Sequence, residues 1–329
     1  MRYTKLGRTD IEVSVIALGC YSFGGGPFWG QRAEDDSIET IRAALDEGIN
    51  FFDTAEAYGD GDSEIILGRA LLGRRPEAVI ATKVSASHLG PADLRAACEA
   101  SLRRLNTDYI DLYQIHWPSR TIPLDETMKA LQSLQEDGKV RAIGVCNFGI
   151  LDLSDALQLG PVVTDQLPYS LIWRAIEYEI LPKCLETSTG ILCYSPLAQG
   201  LLSGAYTCAE DVPTGRSCTR WFSDARPMAR HGEPGCEAET FAALARIRAI
   251  SDRLLEPMTN VAIAWLLSRP GVTSVLAGAR TPAQLRVNAQ AAELDLGAEV
   301  LDELSAVTEE VKEKIGSNPD MWQSESRFR

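Results

Sequence analysis

The sequence predicts an α/β fold, a (β/α)8 TIM barrel with an N-terminal β-hairpin and additional C-terminal helices. Apolar runs of strand length alternate with helical periodicity along most of the chain, which is typical of a parallel sheet. Eight such runs, counted from Val15, fill about 280 residues, the size of a closed barrel. The alternative, an open doubly wound sheet, usually carries the glycine fingerprint GxGxxG. The loop CYSFGGGPFWG lacks it, because Trp29 stands where the third glycine belongs.

The hairpin is predicted by the extended runs Tyr3 to Leu6 and Glu12 to Val15, which flank the turn residues Gly7 to Asp10. Barrel strands are predicted at 15–19, 49–52, 78–82, 109–115, 140–145, 162–166, 191–194 and 274–276. Helices are predicted at 33–47, 63–72, 91–105, 124–137, 150–159, 176–187, 237–255, 259–268 and 282–291. Ser63 is the predicted N-cap of the second helix.

No linker divides the chain, so residues 1–329 are predicted to form one domain. Within it, 203–235 is a long polar loop after the seventh strand, and 315–329 is a tail that follows the last helices.

Composition narrows the class of protein. The 329-residue chain has a formal net charge of −14, which repels phosphate backbones and predicts no nucleic-acid partner. No apolar run reaches the roughly 18 residues of a membrane span, and the N-terminus lacks an apolar signal core, so we expect a cytoplasmic protein. Its scattered cysteines predict reduced thiols. Cys208, Cys218, His231 and Cys236 lie in one region, but without the spacing of zinc ligands, so no metal is predicted.

Three ionisable residues end three consecutive predicted strands: Asp53 the second, Lys83 the third and His116 the fourth. Each would be costly to bury alone. Adjacent strands lie about 4.8 Å apart, so the three can meet at the end of the barrel where active sites lie. We therefore expect Lys83 to be the partner of Asp53. For Asp53 alone, the alternative is that it caps the following helix or turns the loop.

Tyr58 lies on the loop after Asp53 and can lean over this pair. A lysinium stabilises a phenolate, which predicts a pKa for Tyr58 below the ordinary value of about 10. His116 can hold a carbonyl oxygen beside it. Such a site suits delivery of hydride to a carbonyl carbon, since the oxygen then gains negative charge and a proton. The alternative for Tyr58 alone is an ordinary packed aromatic residue.

The motifs DTAEAYGDGDSE, ATK and DLYQIHWP carry these four residues, and with them the sequence resembles the aldo-keto reductase superfamily over nearly its whole length. The segments FWG and DMWQS are similar to the bacterial branch, near the channel β-subunit-like aldo-keto reductases. The resemblance implies an NADPH (NADP+) cofactor bound across the barrel mouth without a Rossmann fold. It also implies that Tyr58 is the general acid, that Lys83 and Asp53 tune it, and that His116 orients the substrate.

The resemblance further implies which residues hold the nicotinamide. Asn147 in GVCNF and Gln166 in TDQLPYS would hydrogen-bond to the carboxamide, or they only satisfy polar groups at the strand ends. Cys146 replaces the serine that is more usual before this asparagine. Tyr194 in CYSPLAQG would stack on the nicotinamide ring.

The rest of the implied cofactor site follows strands seven and eight. Ser195 and Leu197 would lie near the pyrophosphate, or are ordinary loop residues. In AGARTPAQLRVN, the implied contacts of the adenosine half are Gly278, Arg280, Gln284 and Asn288. An arginine beside the ribose favours NADPH over NADH, because it can pair with the 2′-phosphate.

Four tryptophans are candidates to line the substrate pocket: Trp29, Trp117, Trp221 and Trp322. The C-terminal tail 315–329, which carries Trp322, is therefore expected near this pocket. The loop 203–235 has two open interpretations. It closes over the cofactor, with Arg216 or Arg220 contacting phosphate, or it is a disordered surface loop.

The function that the sequence favours is NADPH-dependent reduction of aldehyde or ketone carbonyls, sugar-like ones included, to alcohols. One alternative is an NADPH-binding regulatory or redox-sensing subunit with slow turnover. Another is a barrel aldolase that forms a Schiff base on Lys83, which Asp53 disfavours by keeping the amine charged. The expected partner is a small-molecule carbonyl substrate, with no membrane; no oligomeric state is predicted.

Overall fold

The computed structural model describes residues 1–25 and 33–329. Its centre is a closed barrel of eight parallel strands in which each strand pairs with the next along the chain and the last pairs with the first. The barrel strands are β3 (Ile16–Gly19), β4 (Phe51–Asp53), β5 (Val79–Val84), β6 (Ile110–Ile115), β7 (Val140–Cys146), β8 (Thr164–Pro168), β9 (Gly190–Tyr194) and β10 (Val272–Gly278). The predicted TIM barrel is confirmed.

Two short strands, β1 (Tyr3–Lys5) and β2 (Glu12–Ser14), form the predicted antiparallel hairpin. The helices are α1 (Glu34–Asp46), α2 (Asp62–Ala70), α3 (Pro91–Leu105), α4 (Leu124–Glu136), α5 (Ile150–Leu159), α6 (Ile180–Thr187), α7 (Glu237–Leu254), α8 (Met258–Leu267), α9 (Pro282–Gln290), α10 (Gly297–Val307) and α11 (Glu309–Ile315). None of the helices in the described part of the chain is long and apolar enough to cross a membrane.

The hairpin closes one end of the barrel. Its side chains Leu6, Ile11 and Val13 are buried in a cluster with inward-facing residues of the strands, such as Phe51. The next residue, Phe52, belongs instead to the larger cluster between the strands and the helices, as the alternation of side chains along a strand requires. An apolar core therefore fills the end of the barrel at which the strands begin.

One predicted helix cap is wrong. Helix α2 begins at Asp62, because Gly61 adopts a left-handed conformation with φ of 97° and turns the chain one residue earlier. The Ser63 hydroxyl is buried and donates to the carbonyl of Cys20 at 2.9 Å. It also lies 2.9 Å from the hydroxyl of Thr54. Ser63 thus ties the loop after β4 to the end of β3.

The segment 203–235 is anchored to the barrel rather than loose on the surface. Trp221 is fully buried, donates to the carbonyl of Ile172 at 2.8 Å and packs edge-on against Trp173 at 5.1 Å. Its assignment to the substrate pocket is therefore wrong, because tertiary packing places it in the core.

Arg220, in the same segment, is bonded to groups of the protein itself. Its guanidinium is buried and donates to the carbonyls of Ile315, Asn318 and Asp320 at 3.0, 2.9 and 3.1 Å. It also pairs with Glu233 at 2.8 Å. Its hydrogen bonds and its ion pair join the start of the tail to the segment 203–235, and the guanidinium also lies 5.6 Å from the ring of Trp173. This arginine therefore holds the tail against the barrel.

Candidate active site

The three ionisable strand ends meet as the sequence predicts. Asp53 is the last residue of β4, Lys83 lies near the end of β5, and His116 directly follows β6. The Lys83 ammonium donates to Asp53 Oδ1 at 2.6 Å, so Lys83 is the partner that Asp53 requires. The parallel register brings these residues to the open end of the barrel, opposite the hairpin.

Lys83 is fully buried and uses all three of its ammonium hydrogens. Besides Asp53, it donates to the carbonyl of Thr54 at 2.8 Å and to the hydroxyl oxygen of Tyr58 at 3.1 Å. Burial by itself would lower the pKa of Lys83, but the charge of Asp53 and the phenol of Tyr58 raise it above its usual value. The ammonium therefore stays charged. Loss of one partner of such a buried pair costs about 3–5 kcal/mol of stability.

Tyr58 lies over this pair, as predicted, but its acidity differs from the prediction. Its ring meets that of His116 edge-on at 5.7 Å and lies 4.7 Å from the Lys83 ammonium. Burial raises the pKa of Tyr58 above its ordinary value by more than Lys83 lowers it. The predicted lowering is wrong because a sequence does not show how much water the fold removes from the hydroxyl. Tyr58 consequently holds its proton throughout the physiological pH range.

His116 is neutral in this site. Burial, and then the positive charge of Lys83, lower the pKa of its imidazole to about 3. Its backbone carbonyl accepts from the side chain of Asn147 at 3.0 Å. A neutral imidazole beside Tyr58 can donate one hydrogen bond without adding a second positive charge next to Lys83.

The second oxygen of Asp53 faces two glutamines. Gln166 donates to Asp53 Oδ2 at 2.7 Å, and Gln114 approaches the same oxygen at 3.4 Å. Gln166 is predicted at the carboxamide of a cofactor, and in the structure its amide nitrogen donates to the carboxylate of Asp53. Gln114 was not among the predicted site residues. Its one sequence signal is a lone amide inside the apolar run LYQI.

The other residues assigned to the nicotinamide are joined to one another. Tyr194 is half-buried and donates to Asn147 Oδ1 at 2.8 Å. The side-chain nitrogen of Asn147 lies 3.1 Å from the sulfur of Cys146, which in turn lies 3.7 Å from Gln166 Oε1. Burial raises the pKa of the Cys146 thiol, so it is present as a neutral donor. One hydrogen-bonded chain thus runs from Asp53 to Tyr194.

Left-handed backbone conformations occur at two of these strand ends. Asn147 and Ser195 have φ of 63° and 52°, and Ala198 and Gln199 follow with 49° and 57°. Each such non-glycine residue costs on the order of 1–3 kcal/mol, and such residues cluster at functional sites. Leu197 lies within the same turn. Arg216 lies beside Gly200 of this turn, since its guanidinium would be 3.4 Å from a Cβ placed there.

The segment after β10 is braced internally. Gln284 accepts from the backbone N–H of Arg280 at 2.8 Å, and the buried Asn288 donates to the carbonyl of Gly278 at 3.2 Å. The guanidinium of Arg280 is exposed and has no hydrogen bond or ion pair within residues 1–25 and 33–329. Of the four residues assigned to the adenosine half of the cofactor, Arg280 is therefore the one that offers a positive charge to a ligand.

Two of the pocket tryptophans lie beside the site. The ring of Trp322 is parallel to that of Tyr194 at 6.3 Å, which brings the tail to the mouth of the barrel. Trp117, next to His116, packs against Phe328 at 5.5 Å and under Arg327 at 3.8 Å. The remaining candidate, Trp29, lies outside the described residues.

Comparison with known proteins agrees with this geometry. The sequence model of the Aldo/keto reductase family matches residues 15–309. The chain belongs to the aldo-keto reductase family. This membership confirms the predicted resemblance and makes the protein an NAD(P)H-dependent oxidoreductase.

Individual relatives cover nearly the whole of this aldo-keto reductase. The aldo-keto reductase YhdN of Bacillus subtilis is 36% identical over 94% of each chain. The NADH-specific methylglyoxal reductase of Escherichia coli is 34% identical over 90% of this chain and 95% of its own. Among solved structures, an aldo/keto reductase from Klebsiella pneumoniae in complex with NADP and acetate has a TM-score of 0.75 at 29% identity, covering 94% of this chain and 96% of that one. The glycerol dehydrogenase of Gluconobacter oxydans has a TM-score of 0.79 at 32% identity, with 96% and 97% covered.

The neutral state of His116 can be tested by NMR. Its ring C–H resonances, assigned with a His116→Asn variant, are expected to stay constant from about pH 8 to about pH 5, because its pKa is held to about 3. In the urea-unfolded chain, histidine resonances should titrate near about pH 6.5. The unfolded chain gains this proton first, so the contribution of His116 to stability is lost as pH falls below about 6.5. A midpoint near pH 6 in the folded protein would contradict the assignment.

Proposed function

We propose that this aldo-keto reductase reduces aldehyde or ketone carbonyls, sugar-like ones included, to alcohols with NADPH, and that Tyr58 is the general acid. One observation carries the proposal: Lys83 donates its hydrogen bond to the hydroxyl oxygen of Tyr58. The phenolic hydrogen is then free to point away from Lys83, toward a substrate oxygen. The lysinium remains in place to stabilise the phenolate that forms.

The donor set fits a nicotinamide dinucleotide. Amide groups for a carboxamide are present in Asn147 and Gln166, and the half-buried ring of Tyr194 lies beside them. The left-handed turn that begins at Ser195 and contains Leu197 suits a pyrophosphate, because such backbone turns direct N–H groups at anions. Gly278, Arg280, Gln284 and Asn288 form a braced segment that ends in an exposed cation. When bound, the reduced cofactor supplies the hydride.

The residues of this chain supply the proton and the placement of the carbonyl. Tyr58 and the neutral imidazole of His116 lie side by side, so both can donate to one carbonyl oxygen. As negative charge develops on that oxygen, Tyr58 transfers its proton to it. Asp53 keeps Lys83 charged, and Lys83 stabilises the resulting phenolate. The neutral imidazole of His116 orients the substrate without competing for the proton.

The choice of cofactor rests on Arg280. Its exposed guanidinium suits a 2′-phosphate, which would be bound as a charge-assisted, bidentate pair. Two similar crystal structures of aldo-keto reductase from Klebsiella pneumoniae are complexes with NADP and with NADPH. The Escherichia coli relative is named NADH-specific, so the relatives include proteins named with either cofactor. The proposal of NADPH for this chain therefore depends on Arg280.

Replacement Tyr58→Phe tests the acid. The variant should lose about 100-fold or more in kcat, because general acid catalysis contributes on that order. NADPH affinity, measured by fluorescence titration, should remain unchanged, since the ring is retained. The exposed Tyr178→Phe is the matched control and should turn over normally. Wild-type kcat in the Tyr58 variant would remove the residue from its assigned role.

Replacement Arg280→Ala tests the phosphate contact. NADPH should bind about 10- to 100-fold more weakly, as expected for loss of hydrogen bonds to a charged group, while NADH should be much less affected. Arg286→Ala is the control, because this neighbouring arginine of α9 is paired with Glu47 at 2.9 Å. Equal losses of both cofactors in the Arg280 variant would refute the 2′-phosphate assignment.

A further inference from the structure

Gln114 occupies a position where the barrel interior would ordinarily hold an apolar side chain. It is fully buried in β6, and in the strand register it lies between Lys83 on β5 and Gly144 on β7. Leu112, two residues earlier and on the same face, belongs to the apolar core of the barrel. A Cβ at Gly144 would come within 3.1 Å of the Gln114 side chain, so the glycine leaves the space that the glutamine fills.

The amide of Gln114 is only half satisfied. Its nitrogen faces Asp53 Oδ2 at 3.4 Å, whereas its oxygen has no hydrogen-bond partner in the described part of the chain. A buried polar atom without a partner lowers stability, and an apolar side chain of the same length would avoid that cost. The stability of the barrel therefore does not explain a glutamine at this position. The contact of Gln114 with Asp53 does explain it.

That contact bears on the orientation of the carboxylate. Lys83 takes Oδ1 of Asp53 at 2.6 Å, while Gln114 and Gln166 donate to Oδ2. With Oδ2 held, the carboxylate cannot rotate to place both oxygens on the ammonium. The remaining hydrogens of Lys83 then stay directed at Thr54 and Tyr58. Gln166 is also assigned to the cofactor, so Gln114 is the donor that serves Asp53 alone.

We propose that Gln114 is a positioning residue for the proton donor: it holds Asp53 so that Lys83 stays aimed at Tyr58. The inference rests on the proposed function, since it concerns the same proton transfer. Within the described part of the chain Gln114 has no hydrogen bond to Tyr58, so it acts through Asp53 and Lys83.

Two replacements of Gln114 test the inference. Gln114→Met keeps the length and removes the donor, so kcat should fall about three- to tenfold at every pH, the effect of one hydrogen bond. The midpoint of thermal unfolding and the NADPH affinity should be unchanged or improved. In Gln114→Glu, the new carboxyl donates to Asp53 when protonated and repels it when ionised. Burial beside Asp53 raises the pKa of that carboxyl above about 4.3, so kcat should recover toward the wild-type value as pH falls.

The control is Thr164→Val, which removes a polar group from the same interior layer, close to Gly144, without a contact to Asp53. It should keep the wild-type kcat. The inference would be overturned by wild-type kcat in the methionine variant, or by a fall in its kcat that accompanies a lower unfolding midpoint. It would also be overturned if the kcat of the glutamate variant, relative to wild type, did not change with pH. In those cases the wild-type protein still turns over and the proposed function stands. Absence of turnover by the wild-type protein overturns both.

Discussion

The buried ion pair between Lys83 and Asp53 is the interaction on which the rest of the site depends. Two charges taken out of water are tolerated only when geometry and further hydrogen bonds compensate, and here strands β4 and β5 end side by side in a closed barrel. The three hydrogens of the ammonium are all placed, one of them on Tyr58. The same ammonium group therefore serves the fold and the proposed chemistry. It satisfies Asp53, and in the proposed mechanism it also stabilises the anion that Tyr58 becomes.

The two ends of the barrel differ in role: one holds the apolar core that stabilises the fold, and the other holds the candidate site. The hairpin and the first residues of the strands form an apolar plug around Leu6 and Phe51. Polar and conformationally strained residues gather at the opposite end, where Asn147 and Ser195 adopt left-handed conformations. Helices and tail complete this end, with Trp322 parallel to Tyr194. The backbone strain is tolerated because the closed sheet and its apolar core hold the strand ends in place.

The sequence predicted the barrel and the meeting of its charged strand ends because both follow from local pattern and strand order. Helices α3 and α5 begin and end at the predicted residues. The errors concern tertiary burial. An apolar residue such as Trp221 suits a pocket wall and a buried core equally well, and the structure places it in the core. The pKa of Tyr58 depends on water excluded by residues distant in sequence. Gln114 was missed because its partner, Asp53, lies 61 residues away and its run reads as an ordinary strand.

The most direct test of the account is to mix the purified protein with NADPH and a panel of aldehydes, ketones and sugars and follow the absorbance of the reduced nicotinamide. The account predicts that at least one carbonyl is reduced at the expense of NADPH. Tight binding of NADPH without oxidation by any carbonyl would contradict it, and would instead indicate a protein that binds the cofactor for regulation.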